Sequence, residues 1–105
     1  MDMNESSYQS EKKEETEVAE VTYATTFKNH KPYVQGAIFA LWRIHHKKFQ
    51  AGSQLFYEEI RQHVSLSKTA YKEALAFLEG AGMVVNEVVI TDKVPQALVE
   101  RYGIL

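Results

Sequence analysis

The sequence predicts a mainly α-helical domain with a small β element, and three observations carry that reading. Apolar residues recur at helical spacing in separate stretches, at Val34, Ala37, Ile38 and Leu41 and again at Tyr71, Ala74, Leu75 and Leu78. A short serine-bearing turn, Ser65-Leu66-Ser67, stands between two of the helical stretches. Two glycines, Gly80 and Gly82, are followed at once by the β-branched run Met83–Thr91.

Taken in order, residues 1 to 17 are Glu, Lys, Ser and Gln with a single aromatic, Tyr8. Such a segment buries too little apolar area to offset its ordering entropy, so a disordered acidic tail is expected there. Residues 18 to 105 are expected to form the domain. Val18–Phe27 (VAEVTYATTF) reads as a short strand or extended arm. Asn29-His30-Lys31-Pro32 then breaks the chain, since a residue before proline is pushed away from helical angles.

Pro32 suits a helix's first turn. The apolar residues from Tyr33 to Phe49, with Trp42, Phe39 and Ile44 widening the arc, predict a first helix apolar on most sides. Ala51-Gly52-Ser53 is expected to break it. Gln54-Leu55-Phe56 reads as one short strand, and Tyr57–Val64 as a second helix with Phe56, Tyr57, Ile60 and Val64 on one face. Ser67 is the expected N-cap of the third helix, and Gly82 its left-handed terminator. Met83–Thr91 reads as a strand or a tight hairpin turning at Asn86-Glu87, although glutamate is a poor residue where φ must be positive. Pro95 opens a last amphipathic helix over Gln96–Tyr102, stopped by Gly103.

The charge is unevenly spread. Residues 1 to 20 carry a balance of −5, residues 21 to 72 one of +6, and residues 73 to 105 one of −3. A basic middle between acidic ends suggests an anionic partner for the middle. The plain alternative is that acidic ends keep the protein in solution. With 105 residues and no cysteine, the chain is one small domain without disulfides, thiolate metal sites or cysteine nucleophiles. No apolar run is long enough to span a membrane, and the first residues lack the layout of a signal peptide. An intracellular protein, in cytoplasm or nucleoid, is expected.

The third helix carries the candidate site. With Tyr71, Ala74, Leu75 and Leu78 inward, Lys68, Thr69, Lys72, Glu73 and Ala76 face outward. Lys68 and Lys72 could take phosphates or guanine, Thr69 a base edge, and Ser65 and Ser67 phosphates from the turn. Against this stands an ordinary solvated helix face with a serine cap. A second basic group, Arg43, His45, His46, Lys47 and Lys48, ends the first helix, with Lys28 and Lys31 upstream. It could grip a nucleic-acid backbone, or it could simply complement the helix dipole. His45 and His46 are adjacent and diverge by about 100° on a helix, so they cannot easily share a metal. No nucleophile–base pair or phosphate loop occurs, and neither catalysis nor a cofactor is expected.

The run from Ser65 to Val84, SLSKTAYKEALAFLEGAGMV, resembles the winged helix-turn-helix DNA-binding family. The resemblance rests on Ser65, Ser67 and Thr69 at the helix start, then Tyr71, Leu78, Gly82 and the apolar pair Met83-Val84. It extends over about Pro32 to Ile90. It implies a three-helix core with a wing, here reduced because Val84–Ile90 leaves room for at most a two-residue turn carrying Glu87. It further implies a small regulator that binds double-stranded DNA through the third helix as a homodimer. The other function it leaves open is a protein-interaction winged helix, an accessory piece of a replication, transcription or partition complex. Such a domain would meet its partner through the N-terminal arm or the C-terminal helix.

Overall fold

A computed structural model of the protein describes residues 28–104. The expected acidic tail at 1–17 and the arm Val18–Phe27 lie outside the described residues, as does Leu105. The described chain is mainly helical with a small two-stranded antiparallel sheet. Its elements are α1 (Pro32–His45), α2 (Tyr57–Ile60), α3 (Lys68–Gly80), β1 (Val84–Val85), β2 (Val88–Val89) and α4 (Gln96–Tyr102).

Helix α1 is the centre of the core. Every residue from Gly36 to Trp42 is buried, and so is Ile44. A helix buried on all sides over two turns needs neighbours on all sides, and α3 is the principal one. Gly36 marks the closest approach between them. A Cβ built there would stand 2.8 Å from Leu66 Cδ1 and 3.5 Å from Ala74 Cβ. The bare backbone of α1 therefore lets the turn before α3, and α3's own first turns, settle against it.

Helix α1 is shorter than its apolar spacing predicts. It ends at His45, not Phe49, because Lys47 takes a left-handed φ of 63°. The Lys47 and Lys48 amides then donate back to the carbonyls of Ile44 and Arg43, at 3.0 and 2.7 Å. This closes the helix with the bond pattern usually found at a C-terminal glycine. Phe49 swings back into the core, where it is 5% exposed. Nothing in a lysine announces such a stop.

The second helix is also shorter than expected. Regular α geometry ends at Ile60, and the chain reaches Val64 through a tighter turn in which Gln62 and His63 donate to the residues three before them, Glu59 and Ile60. Ile60 and Val64 still point inward. Gln54-Leu55-Phe56 contributes a single antiparallel bridge, Gln54 to Val88, not a full strand.

Helix α3 starts and stops as its sequence signals indicate. Ser67 is the N-cap, its Oγ accepting the Ala70 amide at 3.1 Å. Gly82, at φ 76°, is the left-handed terminator. The amides of Gly82 and Met83 donate to the carbonyls of Glu79 and Leu78, and Met83 packs its buried side chain beside Leu78. A Cβ at Gly82 would meet nothing within 4 Å, so only backbone strain opposes a side chain there. Gly82→Ala is expected to lower stability by about 1–2 kcal/mol, read as a shift in the urea midpoint at unchanged slope.

The β-branched run resolves into a hairpin. Val84 faces Val89 and Val85 faces Val88 across a two-residue turn, with Asn86 at φ 51° and Glu87 at φ 64°. Two positive φ values in succession match the right-handed twist of the flanking strands. Val84 and Val89 are fully buried, whereas Val85 and Ile90 on the outer face are each about half exposed. Phe56 shares that outer face by its two-residue offset from Gln54, and it too is about half exposed. Helix α4 ends at Gly103 in the left-handed region, which returns Ile104 to full burial.

Candidate nucleic-acid interface

The start of α3 gathers five of the residues that the sequence singles out. Ser65, Ser67, Lys68, Thr69 and Lys72 are all exposed. The opposite face of the helix buries Tyr71, Ala74 and Leu78, which fixes the rotation of the exposed side. One side chain of the five is already engaged, since Ser67 Oγ holds the Ala70 amide. Glu73 and Ala76 complete the outward face.

The position of this face is held from three sides. Gly36 and Ala74 bring α1 and α3 together. Tyr57 Oη donates to the Leu66 carbonyl at 3.0 Å and so ties α2 to the turn. Tyr71 Oη donates to Glu87 Oε2 at 2.6 Å, tying α3 to the hairpin. Burial, then that hydrogen bond, then the carboxylate charge all push the Tyr71 hydroxyl well above its ordinary pKa. Glu87 is thus a structural ligand of α3. Its own carbonyl also accepts from Leu55 N at 2.7 Å and from Gln54 Nε2 at 3.2 Å.

The second basic group is placed elsewhere. Arg43 is half-buried, with its guanidinium 4.9 Å from the Phe39 ring centre and 5.7 Å from that of Phe49. Its Nη2 donates to His63 Nε2 at 3.3 Å, so that imidazole nitrogen is the acceptor. His63 itself stacks on Phe39, with ring centres 4.8 Å apart. Arg43 Nε is buried with no hydrogen-bond partner among the described residues. Lys47 donates to the Asp92 carbonyl at 3.1 Å and lies 3.5 Å from Asp92 Oδ2. Lys48 is exposed. The rise of α1 puts His45, next to these residues, about 13 Å along the axis from Gly36, where the turn before α3 packs.

His45 adds little positive charge to that end. Burial, and then the charges of His46 and Lys47, lower its pKa from the ordinary 6.5. His46 sits 4.6 Å from the Trp42 ring and 5.2 Å from His45, in ring contacts and not in a chelating arrangement. Among the described residues no group of three or more His, Cys, Asp or Glu side chains could hold a metal ion. No helix among them is long and apolar enough to cross a membrane.

Sequence reasoning missed His63 and Glu87 as partners. The first had a signal: Phe39 and Arg43 are four apart on one helix, so one face offers a ring and a cation together. The second had none, because the Tyr71–Glu87 contact joins residues brought together only by the hairpin. No family model matches the chain, and neither a curated protein nor a solved structure matches it.

Proposed function

We propose that the protein is a winged-helix DNA-binding domain of reduced wing, acting as a small transcriptional regulator. The observation that carries the reading is the exposed start of α3, where a capped helix N-terminus presents Lys68, Thr69 and Lys72 clear of the packed core. The order of three helices followed by a hairpin supports it. A helix so placed reads the major groove with its first turns, while lysines and turn serines meet phosphates. The hairpin tip, Asn86-Glu87, carries no lysine or arginine, and the Glu87 carboxylate, bound to Tyr71, repels phosphate. The affinity therefore rests on α3, and two copies of the domain would supply two such helices for adjacent half-sites.

The decisive measurement is anisotropy on fluorescent duplex DNA at several salt concentrations. The wild type is expected to bind at low salt. Replacing Lys68 and Lys72 together by alanine is expected to weaken binding by roughly tenfold or more and to lower the salt slope by about two. Arg43→Ala tests the placement of the guanidinium. Held against Phe39 and Phe49, it should matter more to thermal stability than to the salt slope. No binding by the wild type at low salt sinks the proposal. Light scattering on the same sample reports whether two third helices are present.

A second reading is a domain that contacts protein. The observation favouring it is the outer sheet face, where Phe56, Val85 and Ile90 are all about half exposed. Charge reversal at Lys68 and Lys72 without any effect on duplex binding would turn the balance toward it.

A further inference from the structure

A cleft of about 560 Å³ opens between the start of α1 and α4. That volume falls within the roughly 300–1,000 Å³ usual for small-ligand sites. Its cationic groups are Lys31 and Arg101, and its rings are those of His30, Tyr33, Phe77 and Tyr102. No carboxylate is among its described lining residues.

The rings are mutually ordered. Tyr102 is 8% exposed and forms the floor. His30 meets it edge-on with ring centres 5.6 Å apart, and Phe77 does so from the other element at 6.1 Å. The Arg101 guanidinium stands 5.6 Å from the Tyr102 ring centre. A planar cation held near a ring keeps its in-plane N–H donors available to an anion. On the α1 side, Gln35 Nε2 donates to the His30 carbonyl at 2.8 Å, which anchors the segment carrying His30 and Lys31. The cleft thus combines aromatic surface with two cations supplied by segments far apart in sequence.

We propose that this cleft binds a small aromatic anion of the nucleoside monophosphate class. The phosphate meets Lys31 and Arg101, and the base lies against the rings of Tyr33, Phe77 and Tyr102. Stacking on aromatic side chains and charge-assisted hydrogen bonds from arginine are the standard means of holding such a ligand. The site is separate from the exposed start of α3, because none of Ser65, Ser67, Lys68, Thr69 or Lys72 lines the cleft, and Phe77 lies five residues beyond Lys72, about 7.5 Å by rise. It does not depend on the DNA-binding proposal.

The test is calorimetry on the full chain at low salt with three probes: adenosine 5′-monophosphate, adenosine and inorganic phosphate. The nucleotide is expected to bind, with adenosine and phosphate each at least tenfold weaker. Arg101→Ala and Lys31→Ala are each expected to lower nucleotide affinity about tenfold. Both residues are exposed, so the variants should fold, which circular dichroism checks. Lys93→Ala, exposed and outside the cleft, should leave the affinity unchanged. Absence of nucleotide binding overturns the proposal. So does equal affinity for inorganic phosphate, which would make the rings irrelevant, or binding that is indifferent to both Arg101→Ala and Lys31→Ala.

Discussion

Truncating Leu41 to alanine is expected to lower the unfolding free energy by about 2–5 kcal/mol. Leu41 is fully buried in the middle of α1, with buried neighbours on both sides along the helix. Removing its isobutyl group forfeits the transfer free energy of the lost carbons and leaves a cavity that a close-packed centre fills only partly. A small domain's whole stability is of the order of 5–15 kcal/mol, so this one change should bring much of the population near unfolding at body temperature. Chemical denaturation measures it directly. The variant also serves as a control for the DNA experiment. It should lose binding only in step with its circular dichroism signal as the temperature rises, whereas the Lys68 and Lys72 substitutions should lose binding with the fold intact. A loss below about 0.5 kcal/mol would mean that α1 is not the packed centre of the domain.

Tyr71→Phe is expected to cost about 1.5 kcal/mol, the low end of the range for a hydrogen bond to a charged group because this one is only partly buried. Tyr71 is 5% exposed and its hydroxyl lies 2.6 Å from Glu87 Oε2. The partner substitution carries a sharper prediction, because Glu87 sits at φ 64°. Glycine relieves that strain, worth about 1–2 kcal/mol, but surrenders the hydrogen bond. In the wild-type background Glu87→Gly should therefore be neutral to destabilising. In the Tyr71→Phe background, with no bond left to lose, the same change should stabilise. A change of sign between the two backgrounds is the signature of coupling, and additive effects would refute it.

The same pair sets an alkaline limit. The folded state holds the Tyr71 proton more tightly than the unfolded chain, whose tyrosines titrate near the ordinary value of 10.0. The contribution is fully present below that value and is lost as pH rises above it toward the raised folded value. Tyr71→Phe should flatten that alkaline limb of the stability profile.

The buried faces of α1 and α3 were readable in advance because helical periodicity is a local property of the chain. Ala37, Ile38, Leu41, Tyr71, Ala74 and Leu78 fall inside as their spacing predicts. Local signals also placed Ser67 at the cap and Gly82 at the stop. The reading failed where a residue acts against its type. Lys47 ends α1 in a conformation that lysine seldom adopts, so the apolar spacing that runs on to Phe49 suggested four residues too many. Glu87 is likewise an unfavoured turn residue, and its side chain meets Tyr71. At the candidate site, exposure of Lys68, Thr69 and Lys72 followed from the helix period. The separate engagement of Arg43 by His63, and of Lys47 by Asp92, did not, because those contacts join distant parts of the chain.

The outer edge of the hairpin has one more consequence. Glu79 Oε2 accepts the Asn86 amide at 3.3 Å, and Val84 has no solvent-accessible surface at all. A neighbouring chain seeking to extend the sheet would find one backbone donor already capped and the adjoining residue out of reach. Edge-to-edge growth, the usual route from a small sheet to a fibril, is closed at β1. The apolar side chains of Phe56, Val85 and Ile90 remain half open to contact. Any contact on that side would be made by packing of faces and not by the addition of strands.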